Sequence, residues 1–395
     1  MLFKKILKKI LPRSLILLRN KILFNKIIYN YYNKNFKKRA LFSYIIDPFR
    51  KKDIYLGHTS YYEAMSWVKI LDELGFIVDI ADCRGTKEIN LDNYDLICGI
   101  GDIFQKRFES VKCKAITITY GPGRHPMACN LTALNRLKDV YYKKKVWLSK
   151  SIRFNYSTLA HSNMLTDGII ALGNEVCADS YRKYFDGKVY SLPAPFYETQ
   201  NGENIIKQRV SSSKQHFLWF GSSGLIHKGL DLCLDYFSQN QDIFLHICGP
   251  IENEPDFVAT YQKELFESQN IKLHGFIDIA SKEFENILTM CSFVIFPSCS
   301  EGGSPSTLTV VGNGGLIPII TKETTIETGY EIWIEGFDYE SINKAIKQSQ
   351  VLSFEEVKEM QYKNLNFVKT NHTQEIYYKQ LKTNIQKILG INNDL

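Results

Sequence analysis

Two glycine-bearing loops in this 395-residue chain carry residue types able to hold an anion. The first is FGSSGLIHKGLD, residues 220–231. An apolar run ends at Phe220, Gly221 and Gly224 permit a tight turn close to a ligand, and Lys228 leads into a helix expected from Asp231. Backbone amides and an ammonium at a strand-to-helix turn stabilise phosphate oxygens. It is not a Walker loop, because neither the Gly-Lys spacing nor the following Ser or Thr is there. A plain turn with a solvated lysine would use the same residues. The second is FPSCSEGGSPSTLTVVGNGG, residues 296–315. Glu301, Gly302 and Gly303 precede Ser304 and Pro305, which stand where an N-cap and a first helical residue belong. The positive end of that helix would lie beside the Glu301 carboxylate, as a phosphate with a sugar attached requires. A capped helix with a surface glutamate is the simpler alternative.

From about residue 41 the chain alternates short apolar runs with helical patterns. ALFSYII, FIVDIAD, YDLICGI, KAITITYG and DGIIALG read as strands, with a helix over 60–74. That alternation predicts a parallel sheet covered by helices. The polar stretch ETQNGENIIKQRVSSSKQ has little periodicity and reads as a linker, after which FLWFG, IFLHICG, IKLHGF, FVIFPS and LIPIIT restart the rhythm. The economical fold class is α/β, with two Rossmann-like domains over 41–197 and 214–372 joined by residues 198–213. In the terminal segment 373–395, Tyr377, Leu381, Ile385 and Ile388 form one apolar helical face that must dock on something.

Composition excludes several classes. With 44% apolar and 13% aromatic residues the chain can bury large cores. No run reaches the ~20 apolar residues of a spanning helix, and Lys and Arg interrupt every candidate signal-peptide core. Residues 1–40 hold 12 of the 49 basic residues and no acid, leaving 37 against 42 acidic residues elsewhere. The mildly acidic body argues against a nucleic-acid groove. The first 40 residues place Phe3, Ile6, Leu7 and Ile10, then Leu15, Leu18, Ile22 and Ile27, at helical spacing among lysines, which fits an anionic membrane surface. A packed helix or a disordered basic arm fits too. Nine cysteines without a Cys-x-x-Cys pair read as small buried hydrophobes of a reducing cytoplasm. No His-Glu-x-x-His, Asp-x-Asp or Gly-x-Ser-x-Gly motif occurs, so no metal is expected.

Taken in order, the two loops, ICGP and the run from NIKLHGF to GLIPIIT resemble the C-terminal domain of retaining glycosyltransferases of sequence family 4. The likeness covers about 214–325 well and the N-terminal half more loosely. It implies the GT-B fold, two facing Rossmann-like domains with a C-terminal helix docking back. It also implies that Lys228 meets the donor diphosphate, that Glu301 meets the donor sugar, and that Gly221, Ser222, Ser223 and the amides of Gly302, Gly303 and Ser304 surround the phosphates. Two departures stand out: the motif's second glutamate, which holds the ribose, falls on Thr309, and the loop arginine is replaced by Ser222 and Ser223. TYGPGRHPMACN, residues 119–130, is similar to a family loop whose histidine approaches the sugar, so Gly121, Gly123, Arg124 and His125 are expected at the cleft. Gly57 and His58, and Asn174 and Glu175, are weaker cleft candidates on the same resemblance, with helix capping the plainer role for Asn174. The expected activity is metal-independent, cofactor-free hexosyl transfer from a nucleoside diphosphate sugar to a lipid-linked or polysaccharide acceptor at the inner membrane face. A degenerate nucleotide-sugar-binding partner, a sugar-nucleotide epimerase and a membrane-surface scaffold are the rivals.

Overall fold

The computed structural model describes residues 24–50, 58–85, 87–155 and 163–391. Gly57 and residues 1–23 of the basic segment lie outside them. The first sheet has strands β1 Lys38–Tyr44, β2 Phe76–Asp82, β3 Leu96–Gly99, β4 Ile116–Gly121, β5 Gly168–Leu172 and β6 Lys188–Leu192, in the order β2-β1-β3-β4-β5-β6. The second has β7 His216–Phe220, β8 Phe244–Cys248, β9 Ile271–Gly275, β10 Phe293–Phe296, β11 Ile317–Ile320 and β12 Ile332–Trp333, in the order β12-β11-β10-β7-β8-β9. Every pairing within these sheets is parallel. Parallel strands covered on both faces need continuous apolar runs, and β3, β5 and β10 are buried throughout. This is the two-domain Rossmann-like architecture of GT-B proteins.

The helices that position the site are α1 Thr59–Glu73, α2 Pro126–Lys144, α3 Glu175–Arg182, α4 Gly202–Gln208, α5 Leu230–Phe237, α6 Pro305–Gly314, α7 Phe354–Asn371 and α8 Gln374–Leu389. α1 turns Trp67, Val68, Ile70 and Leu71 to the first sheet, where Trp67 stacks on Phe42 at 5.7 Å. α8 docks on that same sheet. Ile388 sits so close to Gly168 that an added Cβ there would meet its side chain at 2.7 Å, and Asn384 donates to the Ser191 carbonyl at 3.1 Å.

Two boundaries differ from the sequence reading. Residues 24–40 are not a separate segment: Ile28 exchanges backbone hydrogen bonds with Ile80 at 2.8 and 2.9 Å, so this stretch covers the outer edge of β2. Such an edge otherwise exposes unpaired amides. The linker is not irregular either. It forms α4, and the buried Arg209 guanidinium behind it donates to the Leu288 and Gly314 carbonyls at 2.6 and 2.7 Å. Both are last-turn carbonyls of helices, where a cation is favoured. Short length hid this helix, since seven residues give less than two full turns of periodicity.

Candidate functional site

The C-terminal ends of both sheets face one cavity of about 330 Å³. Open parallel sheets bind ligands at this end, where strands give way to loops and helix N-termini. From the second domain it is lined by Gly221, Ser222 and Lys228 of the first loop and by Glu301, Gly302 and Thr309 of the second. His58, Glu63, Pro122 and Arg153 face them from the other side.

The two loops are stitched together. Lys228 Nζ donates to Glu301 Oε1 at 2.6 Å, and Ser298 Oγ donates to the same oxygen at 2.9 Å. The preceding residue adds a second tie: His227 Nε2 donates to the Ser300 carbonyl at 2.6 Å, and the Cys299 amide donates back to the His227 carbonyl at 2.9 Å. Burial alone would raise the Glu301 carboxyl. The ammonium of Lys228, with the positive charge of Arg153, overrides it and holds the group down at about 2. Burial pushes the His227 imidazole down to about 4, so it is neutral at physiological pH. The resemblance implies separate parts of a ligand for Lys228 and Glu301; here the two form one buried ion pair.

The amides depart from expectation in three places. Gly224 and Leu225 donate to the two carboxylate oxygens of buried Glu254 at 2.5 and 3.1 Å, so these loop amides are already satisfied by an internal anion. The Gly303 amide donates to Thr325 Oγ1 at 2.8 Å. Ser304 stands at the N-cap of α6 but with φ of 32° and no capping bond, because its hydroxyl pairs with Thr307 Oγ1 at 2.8 Å instead. The first turn of α6 is thus left without a side-chain cap at the cavity wall, where Pro305 and Ser306 line the space. An uncapped N-terminus retains its partial positive charge for a ligand. Thr309 reaches the cavity, and its hydroxyl donates to the Pro305 carbonyl at 2.7 Å.

The N-terminal candidates divide. His58 lines the cavity and caps α1, its Nδ1 accepting from the Ser60 amide at 3.2 Å. Burial and the charges of Arg153 and Lys228 lower its pKa. His125 does not line the cavity: its Nδ1 accepts from the Met127 amide at 3.2 Å, and its ring is boxed against Tyr181 and Tyr184 at 5.3 and 4.4 Å. Burial holds it down at about 4, which fits a neutral capping residue. Arg124 spans the domains, donating to the Cys299 carbonyl at 3.3 Å. Gly123 offers its carbonyl to Tyr181 at 2.8 Å, and its Cα lies 2.8 Å from where a Cβ on Gly302 would stand. Gly121 also stands against Tyr181, whose hydroxyl oxygen lies 2.4 Å from where a Cβ would be. Asn174 caps α3 and bonds Glu327 across the interface at 3.1 Å, while exposed Glu175 pairs with Arg182 at 2.7 Å. Neither lines the cavity.

Glu63 and Arg153 are among the cavity residues that escaped the sequence reading. Glu63 is a buried carboxylate in the apolar face of α1, accepting from the Tyr120 and Tyr44 hydroxyls at 2.9 and 3.2 Å. Burial raises its pKa against those hydrogen bonds. A glutamate inside the apolar run YYEAMSWVKIL was the available signal.

No family model matches the chain, and no curated protein resembles it in sequence. Solved structures do resemble it in fold. A glycosyltransferase from Rickettsia africae superposes with a TM-score of 0.55 at 12% identity, over 90% of this chain and 100% of that one. Sucrose-phosphate synthase from Thermosynechococcus elongatus gives 0.56 at 12% identity, over 90% and 100%. Anabaena HepE, solved with UDP and glucose, gives 0.55 at 9% identity, over 89% and 100%.

Proposed function

We propose that the chain transfers a hexosyl group, with retention, from a nucleoside diphosphate sugar to a lipid-linked or polysaccharide acceptor of the cell envelope. The observation that carries this reading is the convergence of Lys228, Glu301 and the uncapped first turn of α6 on one interdomain cavity. In sugar transfer the leaving diphosphate gains negative charge as the sugar becomes cation-like. Positive groups fixed in advance lower that barrier more than they strengthen substrate binding. Lys228 and the helix end supply them without a metal ion or cofactor. Glu301, held ionised, accepts from sugar hydroxyls, and Phe276, 71% exposed at the cavity rim, offers a ring face to a planar base. UDP is the first donor fragment to try, since it occupies the HepE structure of the same fold.

The deciding experiment is a thermal-shift screen of nucleoside diphosphates. A ligand at a hundredfold its Kd adds about 2.7 kcal/mol to stability by mass action, enough to raise the Tm by several degrees. If none of the common diphosphates moves the Tm, the donor reading fails. A second reading, a donor-binding partner without transfer activity, is favoured by the Glu254 carboxylate in the glycine loop and by Thr309 where a second acid is expected. It predicts a Tm shift with no product from any acceptor.

The proposal includes peripheral attachment to the cytoplasmic face of an anionic membrane. Among the described residues no helix is long and apolar enough to cross a membrane. The solvent face of α2 and the turn after it carry exposed Tyr141, Tyr142 and Trp147 beside exposed Lys138 and Lys145. Amphipathic aromatics and lysines are the composition of an interfacial surface. Because residues 24–40 belong to the fold, the segment to remove is 1–23. The full chain is expected to sediment with phosphatidylglycerol vesicles and the truncated one to lose most of that binding. Equal sedimentation of the two would take the role from the basic segment.

A further inference from the structure

The first loop has Ser222 and Ser223 where the resemblance leads one to expect an arginine. The structure puts an arginine there by another route. Residues 151–155, from the N-terminal half of the chain, cross to the second domain and are pinned at both ends. At one end the Ser151 carbonyl accepts from the amides of Ile226 and His227 at 3.0 and 3.2 Å, inside the glycine loop itself. At the other, Asn155 and Asn130 of α2 exchange two hydrogen bonds, at 2.9 and 3.0 Å. Between these anchors Arg153 Nη2 donates to the Ser223 carbonyl at 2.7 Å and meets Ser222 Oγ at 3.5 Å. Arg153 lines the cavity together with Ser222, Lys228 and Glu301.

Among the described residues both hydrogen-bond partners of Arg153 are uncharged oxygens, so neither contact neutralises the guanidinium. Both contacts run through Nη2, which leaves the other donors of the fork for a ligand. Its field reaches the cavity, where it adds to the burial that lowers the pKa of His58 and Lys228 and joins Lys228 in holding Glu301 down against burial. A planar fork is the side chain suited to bidentate phosphate contact, and Lys228 is already committed to Glu301.

We propose that Arg153, carried across the domain interface by the strap 151–155, is the second cation of the donor pyrophosphate site and replaces the arginine that the glycine loop lacks. This rests on the donor reading above. It makes the site a joint product of both domains: a cation from the N-terminal half completes an anion cradle in the C-terminal half. Opening of the cleft that drew the strap from the loop would remove half of the site's positive side chains, so pyrophosphate binding and the closed arrangement favour each other.

The test is calorimetric titration of the full chain with UDP and with inorganic pyrophosphate. Arg153→Ala is expected to weaken both by about ten- to a hundredfold, the range of one lost charge-assisted phosphate contact. Arg153→Lys should recover only part, since an ammonium cannot hold Ser223 and a phosphate in one plane. The double variant Arg153→Ala/Ser222→Arg, which returns the cation from the loop itself, should recover most of the UDP affinity. Arg153 is exposed, so an unchanged Tm without ligand is expected and separates binding from folding. Wild-type affinity in Arg153→Ala would overturn the assignment while leaving the donor reading in place. Absence of any UDP or pyrophosphate binding by the wild type would overturn both.

Discussion

Lys228→Ala is expected to lose at least a hundredfold in turnover and also about 3–5 kcal/mol in stability, because it strands the Glu301 carboxylate in a buried site. The two effects separate by a second substitution. In the double variant Lys228→Met/Glu301→Gln no buried charge is left unmatched. Replacing a whole buried pair is often close to neutral, so stability should return while turnover stays lost. Urea denaturation beside a transfer assay reads both. If the double variant is as unstable as Lys228→Ala, the pair is not the energetic unit its geometry implies.

The pH dependence has a definite sign. The folded-state pKa of Glu301, about 2, lies below the ordinary carboxylate value, so its contribution to stability is fully present above the unfolded pKa. It is lost progressively as pH falls from about 4.5 towards 2. Wild type should therefore destabilise more steeply over that window than Glu301→Gln does.

Arg136→Ala is the second large effect. Its guanidinium on α2 meets Asp231 on α5 at 2.5 Å, and both side chains are only 2% exposed. Truncation leaves the aspartate buried and unpaired, at a cost of about 3–5 kcal/mol. The neighbouring Lys143 pairs with Asp235 at 2.5 Å; the aspartate is 9% exposed but the lysine is half exposed, so Lys143→Ala should cost less than Arg136→Ala, about 1–3 kcal/mol. Two pairs a few residues apart on one helix thus differ in worth, and the second, open to solvent on its lysine side, should weaken more with salt. Denaturation of both variants at low and high ionic strength measures this; equal costs would show that burial does not decide between them.

Much of this was legible beforehand. The strand runs of both sheets could be read because parallel strands buried on two faces have little choice of residue type, and both loops fell at strand ends for the same reason. Lys228, Glu301, Gly302 and Thr309 line one cavity. What stayed hidden depended on distant partners. Nothing near Arg153 announces that it reaches a serine carbonyl 70 positions on. Free loop amides look like an anion site in sequence, and only the fold reveals Glu254 on them, 30 residues later. His125 and His58 have similar settings, each at a helix start after a glycine-bearing loop. Packing against Tyr181 and Tyr184 turned one inward, while the other reached the cavity.

The glutamate seated on the glycine loop has a consequence for how this fold tolerates change. With Gly224 and Leu225 tied to Glu254, the bend is held by a carboxylate of its own domain, while the Ser222 hydroxyl turns to Arg153 of the strap and not to the bend. The side chains at 222 and 223 are free to drift. A chain built this way can exchange its ligand preference there one residue at a time, with the mould that holds them already set.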